Sequence, residues 1–119
     1  MLTLPIKKKW FCLILKGIKK EEYRDIKPYY TSRFSKLFGI SEQTLLYYAN
    51  QNYNVEFENS CAYIIFRNGY SKKSPCFKVY CRLAIKTGNP EWGAEPNKKY
   101  YVLKILEIKE VKENGKINN

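Results

Sequence analysis

The sequence predicts an α+β fold, a small curled sheet or barrel of about five or six mainly antiparallel strands with two or three flanking helices. Three observations lead there. The length of 119 residues fits a single domain over 1–119 with one core, and 45% apolar against 28% charged residues is a globular balance. The apolar spacing is helical in the first half of the chain and has period two in the second. So few strands over one core suit a curled sheet or barrel better than a doubly wound parallel sheet, and no Gly-rich phosphate loop or nucleophile elbow marks the latter.

The elements follow in order. Residues 2–6 form a short first strand. Residues 7–16 carry the pairs Trp10/Ile14 and Phe11/Leu15, with Ile18 beyond, at helical spacing, and Gly17 supplies a left-handed stop. Residues 19–26 are too charged and too short for a buried helix; as a strand they place Glu22 and Arg24 on one face. Pro28 suits the first turn of a second helix with apolar positions Tyr30, Phe34, Leu37 and Phe38, ended by Gly39. Ser41 is placed as the N-cap of a third, short helix, with Ile40 and Leu45 as a hydrophobic staple. The helical, Tyr-rich stretch 39–58 reads as a surface insertion. Residues 61–67 form a buried strand, and 68–71 a turn. In 76–85, Phe77, Val79, Cys81, Leu83 and Ile85 share one strand face, with Lys78, Tyr80, Arg82 and Ala84 on the other. Residues 87–96 form a loop. The last strong strand, 100–108, slips phase between Ile105 and Leu106, which suggests a bulge. The polar tail 112–119 is expected to fray.

Charge narrows the function. Twenty-two Lys and Arg against 11 Asp and Glu give a net +11, so a polyanion, nucleic acid first, is the expected partner. The absence of His removes the commonest general base and the commonest transition-metal ligand. No stretch of about 18 apolar residues exists, so no membrane partner is expected. Lys7, Lys8 and Lys9 follow a short apolar start that is no signal peptide, and a cytoplasmic location is the expectation. Cys12, Cys61, Cys76 and Cys81 contain no Cys-x-x-Cys pair, so they read as buried small hydrophobes rather than as a zinc site or a disulfide framework. No metal and no cofactor is expected.

One segment combines these features. Gly17-Ile18-Lys19-Lys20-Glu21-Glu22-Tyr23-Arg24 leaves a helix at Gly17 and enters a strand with charges on both faces. One of those faces must turn inward or toward a cleft, where an isolated charge is costly. Glu22 and Arg24 are therefore expected to pair or to contact a polar ligand, with Lys19 at the mouth. The pattern Gly-x-Lys-x-x-Glu-x-Arg, at Gly17, Lys19, Glu22 and Arg24, resembles the signature of the ASCH domain family (activating signal cointegrator homology) of the PUA-like superfamily. The flanks resemble it too: Leu4-Pro5-Ile6-Lys7, Glu22-Tyr23-Arg24-Asp25-Ile26-Lys27-Pro28-Tyr29, Phe66-Arg67-Asn68-Gly69-Tyr70 and Gly88-Asn89-Pro90-Glu91-Trp92-Gly93-Ala94. The resemblance covers about 4–38 and 61–108 and leaves 39–58 uncovered.

The resemblance implies a PUA-like β-barrel that binds RNA or a modified nucleobase in a cleft beside the loop bearing Lys19. On that reading Lys7, Lys8, Lys9, Lys19 and Lys20 contact phosphates, and a base enters near Glu22, Arg24, Tyr70 and Trp92. Asn68 in the turn, and Lys78 and Arg82 interleaved with Tyr80, add a basic and aromatic surface for single-stranded RNA or a nucleoside. Each has a plainer account as a solvated lysine, an ion pair, a turn or a strand face. An enzyme is the alternative. One branch of the family is similar to N4-acetylcytidine amidohydrolases that use a Lys, a Thr and a Glu; Lys19 matches the Lys, but Glu22 stands at the Thr position and removes the hydroxyl. A ribonuclease would have to use Lys19 and Glu22, with Glu22 and Glu91 as the available carboxylates. A protein–protein adaptor using 47–53 is the third reading.

Overall fold

A computed structural model of the chain describes residues 1–112. The elements run β1 (Thr3–Ile6), α1 (Lys8–Leu15), β2 (Glu21–Arg24), α2 (Pro28–Phe38), α3 (Glu42–Ala49), β3 (Val55–Asn68), β4 (Cys76–Thr87), a 3-10 turn at Pro90–Trp92 and β5 (Lys99–Lys112). The α+β class is as expected. The strands form one sheet in the order β1-β3-β4-β5-β2. β1 lies parallel to β3, with Thr3 opposite Ile65 and Ile6 opposite Asn68, and β2 lies antiparallel to β5, with Glu21 opposite Lys104 and Arg24 opposite Tyr101. The two edge strands are also the shortest, four residues each, which limits the row of unpaired backbone groups an edge presents.

The described chain divides into two compact units. The first takes Met1–Lys20, Tyr63–Cys81 and the chain from Ile105; the second takes Glu21–Ala62 and Arg82–Lys104. In the first, α1 buries Phe11 and Ile14, one turn apart on one face. Phe11 packs on Phe77 at 4.7 Å between ring centres, and Phe77 on Phe66 at 5.7 Å. Leu4, Ile6, Ile64, Val79 and Cys81 complete this core. In the second, Phe34 and Phe38 of α2 and Leu45 of α3 are buried with Leu83, Ile85, Tyr101 and Leu103. Phe34 meets Tyr101 edge-to-face at 5.4 Å. The Thr31 and Tyr101 hydroxyls hydrogen-bond, so the tyrosine is buried without an orphaned polar group.

The local signals explain the element ends. Pro28 opens α2, and Gly39 closes it in the left-handed region at φ 70°. Ser41 caps α3 by accepting from the Thr44 N–H at 3.1 Å. The stretch 39–58 contains α3, with Leu45 fully buried, and the first four residues of β3. The strand expected over 61–67 thus begins at Val55. Its early half escapes detection because Glu56 and Glu58 alternate with half-buried Val55 and Phe57, leaving no dense apolar run. The phase slip in β5 has a similar cause: Tyr100, Tyr101, Val102 and Leu103 are all buried, so both faces are covered there, whereas Leu106 is exposed. β5 continues to Lys112. The rest of the expected tail, 113–119, lies outside the described residues. β2 spans Glu21–Arg24 rather than 19–26, which leaves Lys19 and Lys20 in the connection from α1. No disulfide joins the four cysteines; Cys76 and Cys81 are buried, Cys12 and Cys61 only partly so.

Candidate functional site

The approach to β2 is set by the end of α1. Gly17 takes φ 75°, the Ile18 N–H bonds the Leu13 carbonyl and the Gly17 N–H bonds that of Ile14, both at 3.0 Å. This is the paired closure of a Schellman end, and it turns the chain sharply. Lys19 follows with 2% of its surface exposed, its ammonium 4.8 Å from the centre of the Trp10 ring. The Lys9 ammonium lies 4.5 Å from the same ring. The electron-rich face of an indole is a favourable surface for a lysine head group, and the Trp10 ring lies within reach of the Lys19 Nζ. Lys19, expected at the mouth of a cleft, is buried, whereas Lys20 is exposed.

β2 then carries charge on both faces. Glu21 and Glu22 are both buried, 8% and 7% exposed. Glu22 and Arg24, two residues apart, share a face, and Arg24 Nη2 donates to Glu22 Oε2 at 2.9 Å. Arg24 Nη1 donates to the Tyr30 hydroxyl at 3.1 Å, and the guanidinium sits 5.7 Å from the Tyr30 ring centre. The Tyr30 ring stacks on buried Phe34, so the second helix holds the arginine in place. On the opposite face Glu21 receives Lys86 Nζ at 2.7 Å and the Tyr23 hydroxyl at 2.8 Å, and that hydroxyl accepts the Asn89 N–H at 2.9 Å. Burial raises the Tyr23 hydroxyl well above the ordinary tyrosine range; the Asn89 N–H opposes this and Glu21 adds to it. Gly88 makes the room: a Cβ there would lie 2.7 Å from the Tyr23 ring and 2.6 Å from Ala94. At the end of the segment Asp25 pairs with Lys98 at 3.0 Å and Lys27 at 3.4 Å, and the hydrogen bond from Lys98 holds its carboxyl below the usual value.

The structure brings Glu22 and Arg24 together and adds Tyr30, Glu21, Tyr23 and Lys86 beside them. Tyr30 falls at helical spacing with Phe34, so its ring reads as apolar while its hydroxyl carries the contact to Arg24. Lys86 continues the alternate face of β4 by one step beyond 76–85. Trp92 is half-buried on the 3-10 turn of the second unit, and Glu91 beside it is exposed. Tyr70 belongs to the first unit and is 90% exposed. It lines a cleft of about 520 Å³ with Thr3, Pro5, Arg67, Gly69 and Lys72. Asn68 ends β3, its N–H bonded to the Pro75 carbonyl at 2.9 Å. Lys7, Lys8 and Lys9 are exposed at the start of α1, whose first turn has no acidic residue. Lys78 pairs with Glu110 at 3.4 Å beside the Tyr63–Tyr80 ring pair, and Arg82 is half-buried.

Chemically, the β2 arrangement offers a fixed carboxylate and a fixed planar guanidinium, the two groups that read the polar edges of a base, held by aromatic packing beneath. Among the described residues no group of three or more His, Cys, Asp or Glu is placed to hold a metal ion, and no helix is long and apolar enough to cross a membrane. Compared with models of protein families, with curated proteins and with solved structures, the chain finds no match.

Proposed function

We propose that the chain is an RNA-binding domain of the ASCH type with a PUA-like barrel, which receives a base, plain or modified, at Glu22, Arg24 and Tyr30. The observation that supports this reading best is the Glu22–Arg24 pair, nearly enclosed on a four-residue edge strand and anchored by Tyr30. Such a pair is a poor source of net stability, because desolvating both ions cancels most of their attraction. Fixed in this geometry, its carboxylate and fork are the groups that would recognise a base edge. The net charge of +11 supplies the long-range attraction that brings a polyanion there.

The test is fluorescence anisotropy of a labelled single-stranded RNA at two salt concentrations, with wild type and Arg24→Lys. The lysine keeps the charge and loses the fork, so it is the milder change; circular dichroism checks that each protein is folded. Binding should weaken with salt, with a log–log slope of about −0.7 per phosphate contact, and Arg24→Lys should lower affinity without changing that slope. Absence of binding at low salt, or affinity indifferent to Arg24, overturns the assignment.

A further inference from the structure

We infer that the cleft beside the β3–β4 turn is a separate binding site for a nucleotide unit, stacking its base on Tyr70 and holding its phosphate with Arg67 and Lys72. The cleft lies wholly within the first unit and shares no residue with the β2 cluster, so its argument stands apart from the reading above.

The edge of the sheet builds it. β1 runs parallel to β3 with Pro5 opposite Arg67. Side chains alternate along a strand, and Leu4, Ile6 and Phe66 are buried, so Thr3, Pro5 and Arg67 share the other face. The chain then turns at Gly69, with φ 99°, and presents Tyr70 and Lys72 next to them. Three properties point to a ligand. First, the Tyr70 ring is 90% exposed, the most exposed large apolar or aromatic side chain among the described residues, and it lines a shallow, open cleft. Second, the volume of about 520 Å³ falls within the range of small-molecule sites, roughly 300–1,000 Å³. Third, Arg67 brings a guanidinium to the lining, its Nη1 donating to the Ser71 carbonyl at 3.3 Å. A guanidinium, a lysine two residues from an open aromatic ring, and a lining with no acidic side chain favour a planar, anionic ligand.

A nucleoside monophosphate is the smallest molecule with both parts. The unit can come from a free nucleotide or from one position of an RNA strand, and the two sources separate by affinity.

Amide chemical shifts followed by NMR during titration with AMP, adenosine and a six-nucleotide oligoadenylate test this. AMP should shift Gly69, Tyr70 and Lys72 and bind more tightly than adenosine. Tyr70→Ala should weaken AMP by about fivefold or more, the lower end of a lost stacking contact, while Tyr70→Phe retains it. Lys72→Ala should lower AMP affinity and its salt dependence together. A hexamer no tighter than AMP identifies a free nucleotide as the ligand; a hexamer at least tenfold tighter identifies a strand. Shifts elsewhere or none, AMP equal to adenosine, or Tyr70→Ala equal to wild type overturns the site. Arg24→Lys should leave AMP shifts at Gly69 unchanged, so failure here is distinguishable from failure of the β2 assignment.

Discussion

The β2 segment and the β3–β4 turn are the two most chemically loaded parts of the chain, and they are built in opposite ways. In β2 the charges answer one another: Glu22 with Arg24, Glu21 with Lys86, Asp25 with Lys98. Those side chains are also fixed from beneath, Arg24 by Tyr30 and Tyr23 by the Gly88 loop. At the β3–β4 turn the aromatic ring stands open and the lining has no acidic side chain. The first arrangement is preorganised and stiff, so substitutions there act on folding and recognition together. The second adds little to the fold, so substitutions there should act on binding alone. The predictions follow that division.

The largest effect should come from Arg24→Ala. It leaves Glu22, with only 9% of its side chain exposed, as a carboxylate without its 2.9 Å partner. Removing one member of a buried pair costs about 3–5 kcal/mol, far more than the pair contributes net. Denaturant unfolding measures it. If Glu22 and Arg24 are a true couple, the double variant Glu22→Gln with Arg24→Ala should recover part of the loss, and a strictly additive cycle would break the comparison at its stiff end.

Gly88→Ala comes next. The added methyl would meet the Tyr23 ring at 2.7 Å and the Ala94 Cβ at 2.6 Å, and neither can retreat easily, since Tyr23 is fixed by Glu21 and Asn89. Overpacking of this kind costs about 1–3 kcal/mol, read as a lower unfolding midpoint with an unchanged denaturant slope.

The same packing has a pH signature. Burial raises the Tyr23 hydroxyl, and burial likewise raises that of Tyr101 against the opposing bond from Thr31. A raised folded value means that the folded state holds its proton longer than the unfolded chain. Stability from this source is therefore complete below the unfolded tyrosine value of about 10 and falls as pH rises above it toward the folded values. Absorbance at 295 nm should show tyrosine ionising late, in step with alkaline unfolding. Asp25 works in the opposite direction: its lowered carboxyl favours folding above the ordinary aspartate range and loses that contribution as pH falls toward its folded value. Its exposure to solvent makes the contribution small.

Much of this was legible because local rules decide it. Pro28 and Gly39 bound a helix, Ser41 caps one, and the alternation of Phe77 through Ile85 survives into a strand buried on that face. Glu22 and Arg24 share a face by period two alone, whatever else the chain does. What stayed hidden depends on remote partners. That Lys86 reaches Glu21, and Lys104 reaches Glu56, depends on side chains meeting across strands that are not neighbours in the sheet, which single-strand patterning does not contain. The burial of Lys19, with its ammonium over the Trp10 ring nine residues earlier, is not visible in its own segment, where a lysine reads as solvent-facing. For Tyr70, the sequence offers a turn and a stacking ring but not the lining of Thr3, Pro5, Arg67 and Lys72 that surrounds it.

The smallest expected effect on folding is the most diagnostic. Tyr70→Ala removes a ring that is 90% exposed, and Lys72→Ala removes a side chain that is itself at the surface. Surface changes of this kind stay within about 0.5 kcal/mol. If denaturant unfolding shows both variants at wild-type stability, the open ring has no structural reason to be aromatic, and the hydration cost of leaving it exposed needs another explanation, which a stacked ligand supplies. If Tyr70→Ala instead costs more than about 1 kcal/mol, the ring is supporting the β3–β4 turn in solution, and the contrast between a stiff segment and an open one disappears.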